Sequence, residues 1–451
     1  MKIHLILLAF TLAFVSKAQQ TVDSRQQEIV FKNVSVIPMD KEVVLSNQTV
    51  LVKNAQITAI GPKVSYNKNA LVIDAKGKFL MPGLAEMHAH VPPVDDIEPM
   101  KEVLLLFAAN GVTTIRGMLG HPLHLELRRK IQTGEILGPK LYTSGPSFSG
   151  ASVKTPEEGI EKVRSQKRAG YDFMKMHPGL SKANFEAIIK TAKEEGMSYG
   201  GHVSFNVGVW RSVEADYATI DHLDGIMQSL VPRLDTLSEE EAGLFGMFSG
   251  HRADVSQLNK VLTAIREHHV WVVPTQTLAE HWQSPKRSVQ SLLAAPEMKY
   301  MNKSLLNNWA ASKENTLKSP LYHADSILKY IAVRRKVIYE CQRQGVGLLL
   351  GSDAPQVFSV PGFSLQHELS YLVEAGLTPY QALRTGTFNI GQFFKQDNLG
   401  VVKAGAVADL ILLNAKPLKN IKAMREIEGV MLNGRWLPKE QIVGILKRLE
   451  K

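Results

Sequence analysis

Met81-Pro82-Gly83-Leu84-Ala85-Glu86-Met87-His88-Ala89-His90 is the stretch from which the fold of this chain is read. It is a short apolar run that ends in His-x-His. Successive side chains of a strand point to opposite faces, so His88 and His90 share one face. Two imidazoles converging at a strand end suit one transition-metal ion of the zinc type. The same spacing also arises by chance, so its meaning depends on the partners that the rest of the chain supplies.

Working outward, residues 28–80 carry a period near two, broken by Asn, Gly, Pro and Lys turns. They read as a small antiparallel β unit. After His90 strand-like and helix-like runs alternate, the pattern of a parallel sheet. Strand segments are expected at 84–88, 112–116, 141–144, 172–176, 197–202, 218–222, 270–274 and 346–351. Thr155 and Ser181 stand as N-caps of two of the intervening helices, with Pro156 in the first turn of one. Eight such units over roughly 300 residues match a (β/α)8 barrel. Two insertions, 237–254 and 278–321, follow the sixth and seventh strands and should cover the barrel's C-terminal face, as a lid, or else as helical decoration or an oligomer contact. β character returns at 399–402, 408–413 and 430–436, with Asn433-Gly434 as a hairpin turn. Neither β flank can hold a core alone, so the two ends are expected to combine. The expected organisation is α/β: a β-sandwich from 19–80 plus 396–440, a TIM barrel over 81–395 and a helical tail over 441–451.

The 451 residues are 44% hydrophobic and 21% charged, enough apolar content for a large core. Lys2, an apolar run over 5–15 and small residues at Ser16 and Ala18 form a secretory signal peptide, residues 1–18. The expected location is therefore periplasmic or secreted. That run is too short for a stable membrane anchor, and no other segment reaches ~18 consecutive apolar residues. Loss of Lys2 and Lys17 with the leader lowers the formal net charge from +10 to +8. The basic residues are scattered, which argues against nucleic acid as a partner. A small-molecule substrate and a possible homo-oligomer are the expected partners. Cys341 is the single cysteine, so no intrachain disulfide can form; it reads as a buried inert thiol.

Active sites of such barrels lie at the C-terminal ends of the strands. Those ends here carry His88 and His90, Lys175, His202, His222 and Asp353. Each is a weak signal; five strand ends bearing metal-type ligands together are a strong one. Asp224 could orient a ligand imidazole. His121 could reach the pocket, His124 reads as helix surface, and His177 as a loop or supporting residue. Tyr142 and Trp271 read as core.

At these residues the chain resembles the amidohydrolase superfamily, in its prolidase-like and imidazolonepropionase-related branch. The likeness includes Met81-Pro82-Gly83-Leu84, Gly111-Val112-Thr113-Thr114-Ile115-Arg116, Ala375-Gly376-Leu377-Thr378-Pro379 and Gly405-Ala406-Val407-Ala408-Asp409-Leu410. The resemblance implies a distorted (β/α)8 barrel beside a β-sandwich. It implies that His88, His90 and Asp353 bind one divalent metal, that His202 and His222 bind a second, and that a carboxylated Lys175 bridges them. Zinc is the favoured ion, and iron, manganese or cobalt suit the same N/O donors. No organic cofactor is implied. Asp353, with His222, would serve catalysis: a metal-activated hydroxide at the binuclear centre attacks a carbonyl, and Asp353 moves the proton to the leaving nitrogen. The implied activity is hydrolysis of an amide, cyclic amide or peptide-like bond. Alternatives are a mononuclear deaminase or imidazolonepropionase-type hydrolase, a lactonase or phosphotriesterase-like hydrolase, and a non-catalytic exported binding protein. Two elements depart from the prolidase-like pattern. Gly145-Pro146-Ser147-Phe148 replaces a Gly-Gly-His element, and Ser204 stands where a Tyr is expected. The groups that would grip a peptide carboxylate are missing at those positions.

Overall fold

The opening stretch belongs to two sheets. Phe79–Pro82 pairs antiparallel with Leu410–Leu413, from the far end of the chain, whereas Leu84–Ala89 pairs parallel with Val112–Gly117. The chain changes sheet at Gly83, whose N–H donates to the Asp409 carbonyl at 2.8 Å. A Cβ on Gly83 would stand 2.2 Å from Thr113 Cγ2, so the close approach of the two strands requires glycine here. The coordinates are a computed structural model that describes residues 21–451. The expected signal peptide, 1–18, lies outside the described residues.

The two chain ends share a single nine-stranded sheet. Its order runs Val22–Asp23, Arg435–Pro438, Ile427–Leu432, Leu410–Leu413, Phe79–Pro82, Ile29–Val36, Leu45–Lys53 and Gln56–Gly61, with Leu71–Asp74 joined to Ile29–Val36. The sequence reading expected antiparallel strands throughout. Ile29–Val36 instead pairs parallel with both Leu71–Asp74 and Phe79–Pro82. Alternation of apolar residues reports which face is buried and carries no information on strand direction. One core of this sheet gathers Ile29, Phe31, Val50, Leu410 and Met431, with Trp436 meeting Phe31 edge-on at 5.0 Å.

The central strands are parallel and fall into two sheets. One holds Leu84–Ala89, Val112–Gly117 and Lys140–Thr143; the other holds Met174–Met176, Tyr199–Gly201, Thr219–Asp221 and Trp271–Val273. Single parallel bridges extend them, Ser144 to Phe173 and Val272 to Leu348. The expected eighth strand, 346–351, forms no ladder of its own. Its backbone is divided among partners: Leu349 N–H donates to Val272, Leu350 N–H to Thr385, and the Leu350 carbonyl accepts from Met87 at 2.8 Å. The protein is therefore α/β with mixed sheets, and its parallel strands do not form one continuous closed ladder.

Local signals placed the helices well. Thr155 Oγ1 accepts from Glu158 N at 3.3 Å and caps Pro156–Ala169, and Ser181 caps Lys182–Glu194. No helix among the described residues is long and apolar enough to cross a membrane. Cys341 is fully buried in Ala324–Gln344, and burial pushes its thiol pKa up. A thiol reagent should therefore leave the native protein unlabelled over hours and titrate one thiol per chain in denaturant. Fast labelling of native protein would contradict this burial.

Candidate metal centre and active site

The His-x-His strand is anchored by the residue between its apolar face and its ligands. Glu86 is fully buried, and its Oε1 accepts from the backbone N–H groups of His88 at 3.0 Å and Ser352 at 2.8 Å. Its Oε2 accepts from the Ser352 hydroxyl, which also meets Ser364 Oγ at 2.8 Å. One carboxylate thus ties His88 to the turn that carries Asp353. Burial raises the Glu86 pKa to about 8.

Around this brace the strand ends converge. His90 Nε2 lies 2.7 Å and His88 Nε2 3.4 Å from Asp353 Oδ1. His222 Nδ1 lies 3.8 Å from Asp353 Oδ2. Lys175 Nζ lies 3.3 Å from His88 Nε2, and the His202 ring stands 4.5 Å from the His222 ring. Asp353 and His222 both have left-handed backbones, φ 65° and 63°, which turn the side chains from the strand direction into the site. Arg334 secures the second turn: it donates to the His222 carbonyl at 2.6 Å and to the Pro274 carbonyl at 2.7 Å. Phe245, from the first insertion, stacks on His222 at 4.6 Å and on His202 at 5.6 Å.

The donors suit a cation. Burial holds the pKa of His88, His202 and His222 well below the ordinary imidazole value, so each presents a lone pair at neutral pH. Asp353 Oδ1 is buried and receives no well-aligned hydrogen bond, although two imidazole nitrogens crowd it. Single ligand atoms of His88, His222 and Asp353 all lie within 4.8 Å of one another. A buried carboxylate oxygen facing neutral imidazoles is a donor set for a divalent metal. Lys175 is fully buried, and burial lowers its pKa to about 8.

The six expected ligands lie close together, and three of them share one compact group. His222 stands with His88 and Asp353, whereas His202 Nδ1 turns to Asp224 Oδ2 at 3.2 Å. Asp224 is the imidazole-orienting acid that the sequence suggested. His124 departs from expectation: it is buried, and its Nε2 meets the Pro92 carbonyl at 3.1 Å. His121 caps Pro122–Thr133, its Nδ1 accepting from Leu123 N. His177 Nδ1 meets Ser147 Oγ at 3.2 Å beside the His202 ring.

The family model described as Amidohydrolase family matches residues 79–437. The chain belongs to the amidohydrolase family. This amidohydrolase is 24% identical to ochratoxinase of Aspergillus niger over 482 aligned positions, which cover 91% of the chain and 86% of that protein. A 44% identical match to a 5'-deoxyadenosine deaminase of Methanosarcina acetivorans covers 14% of the chain and 15% of the deaminase. The fold resembles a structure described as a putative prolidase from Bifidobacterium longum, with TM-score 0.68, 21% identity and coverage of 94% and 99%.

Sequence reasoning passed over two residues of this amidohydrolase site, Glu86 and Thr275, and placed a third, Asp221, only as a neighbour of His222. Glu86 lies inside the quoted motif, and its two-residue spacing from His88 was the available signal. Asp221, which adjoins His222 in sequence, is fully buried and its Oδ2 lies 2.8 Å from Nδ1 of His88 instead. Thr275 Oγ1 meets His222 Nδ1 at 2.8 Å, and nothing local in the sequence marks it.

Proposed function

We propose that this protein is an exported, metal-dependent amidohydrolase that hydrolyses a carbon–nitrogen bond of an amide, cyclic amide or peptide-like substrate. The observation that carries the reading is the convergence of neutral His88 and His222 on the Asp353 carboxylate, in a chain of the amidohydrolase family. Ochratoxinase and prolidase among the similar proteins agree with this substrate class. We read the two parallel sheets and segment 346–351 as a distorted (β/α)8 barrel, with the nine-stranded sheet as the companion β domain.

His88, His90, Lys175, His202, His222 and Asp353 would hold two divalent ions, zinc by preference, with Lys175 bridging as a carbamate. Bound there, the ions would supply Lewis-acid polarisation of the scissile carbonyl and activation of water. The chain supplies the rest. Asp353 takes a proton from the attacking water and passes it to the leaving nitrogen as the C–N bond breaks. Phe245 roofs the imidazoles and limits access of bulk water. A cavity of about 330 Å³ adjoins Phe245 and Asp224; Phe205, Phe248 and Pro178 line it, and no Lys, Arg or His does. Glu239 and Glu240 line it too, so the wall mixes aromatic and acidic groups and offers no cation for a carboxylate.

Metal analysis of purified protein tests the reading. We expect about two ions per wild-type chain and a loss of at least one in Lys175→Ala. Lys175→Ala that keeps both ions would remove the bridging carbamate, and a wild type free of metal would remove the function. A one-ion centre is the second reading, favoured by the three-residue group of His88, His222 and Asp353. A stoichiometry of one would select it. On a substrate panel, neutral amides with an aromatic flank should be cleaved faster than lactones, phosphotriesters or free-carboxylate dipeptides.

A further inference from the structure

The interior of the parallel sheets holds an arginine that the proposed reaction does not use. Arg116 lies on Val112–Gly117, is 3% exposed, and its guanidinium sits between the rings of Phe173 and Phe393 at 5.3 and 5.5 Å. Its Nε donates to the Met87 carbonyl at 2.8 Å, and its Nη2 donates to Thr219 Oγ1 at 3.1 Å. The same Nη2 lies 3.4 Å from both oxygens of Asp221, which is itself fully buried. Asp221 Oδ2 in turn stands 2.8 Å from His88 Nδ1, and Lys175 Nζ is 3.8 Å from that oxygen. A guanidinium, a carboxylate and an imidazole thus run in series across three strands. They end on the His88 ring edge opposite Asp353.

An interior ion pair is a weak source of stability, because desolvation of both charges offsets their attraction. Its geometry here has a second consequence. Asp221 Oδ2 stands 2.8 Å from Nδ1 without the alignment of a hydrogen bond, and a carboxylate this close favours the imidazole proton on Nδ1 electrostatically, which leaves the lone pair on Nε2, the atom that faces Asp353 and Lys175. Arg116 in turn fixes Asp221 from behind and, through the Met87 carbonyl, the strand just before His88.

We propose that Asp221 and Arg116 are positioning residues that set the tautomer and orientation of His88 for metal binding. This rests on the reading of His88 as a metal ligand. Asp221→Asn is nearly isosteric, but its amide can present N–H to Nδ1 and move the His88 proton to Nε2. Arg116→Met removes the group behind Asp221, and Arg116→Lys keeps a cation there.

Zn2+ affinity by chelator competition, and the visible spectrum of the Co2+-substituted protein, test the proposal without any substrate. Asp221→Asn should weaken Zn2+ binding about 10–100-fold and alter the Co2+ spectrum, with circular dichroism unchanged. Arg116→Met should move in the same direction, and Arg116→Lys should recover most of the loss. If Arg116→Met does not fold, Asp221→Asn and Arg116→Lys decide the matter. Variants with wild-type metal affinity and spectrum, changed in thermal midpoint alone, would overturn the proposal and leave the metal site standing. A wild-type protein that takes up neither Zn2+ nor Co2+ would overturn both.

Discussion

Asp353→Asn will fold like the wild type and turn over its amide substrate about 10²–10⁴-fold more slowly, the range expected when a positioned proton carrier is lost. The choice of asparagine matters. Asp353 has φ 65°, a left-handed conformation that asparagine tolerates and that strains alanine. Asparagine also preserves the volume between His88, His90 and His222. It cannot take a proton from water, and it is a weaker donor to a cation than a carboxylate. The loss should therefore fall on kcat, with KM nearly unchanged and the circular dichroism spectrum retained. Metal content separates the two contributions: a variant that keeps its ions and loses turnover isolates proton transfer. Activity within a few-fold of wild type would dismiss Asp353 from the reaction.

Arg334→Ala will cost at least about 3 kcal/mol of stability, since each orphaned buried acceptor costs about 1–3 kcal/mol. Arg334 is 1% exposed on Ala324–Gln344 and serves four buried acceptors: the carbonyls of His222 and Pro274, Gln276 Oε1 at 3.0 Å and the Tyr330 hydroxyl at 3.3 Å. Truncation also leaves a cavity where the buried side chain stood, which adds to the penalty. The same change frees the left-handed turn at His222, so activity should fall along with the unfolding midpoint. Lysine should restore little, because acceptors on Nε, Nη1 and Nη2 at once need the guanidinium fork. Denaturant unfolding of the three proteins checks the order wild type, Arg334→Lys, Arg334→Ala. An Arg334→Ala midpoint equal to wild type would show that the His222 turn supports itself.

The candidate site was legible because its residues occur at strand ends, where sequence pattern and chemistry coincide. His88, His90, Lys175, His202, His222 and Asp353 each close a short apolar run or follow it directly. The structure brings these six together. Less legible was the support behind them. Asp221 acts on His88 from another strand, Thr275 acts on His222 from the loop after Trp271–Val273, and Arg116 and Arg334 reach the site from a third strand and an outer helix. Their roles come from contacts between 53 (Thr275 with His222) and 133 (Asp221 with His88, 221 − 88) residues apart in sequence, which no local period encodes. His124 shows the converse error. Its place in a polar helix suggested exposure, but its turn packs under the Pro92 loop.

By itself, the sequence determined the α/β character, the helix caps and the set of candidate ligands. These depend on side-chain period, capping chemistry and residue type, which are properties of short segments. Tertiary structure alone decided the parallel pairing of Ile29–Val36, the switch between sheets at Gly83 and the division of the 346–351 backbone among several partners. It also decided that His222 stands with His88 and Asp353 while His202 turns to Asp224. The physical reason is common to all of these. A backbone group or an imidazole can satisfy its hydrogen bonds with many chemically equivalent partners, and only the packed chain selects which of them is within reach.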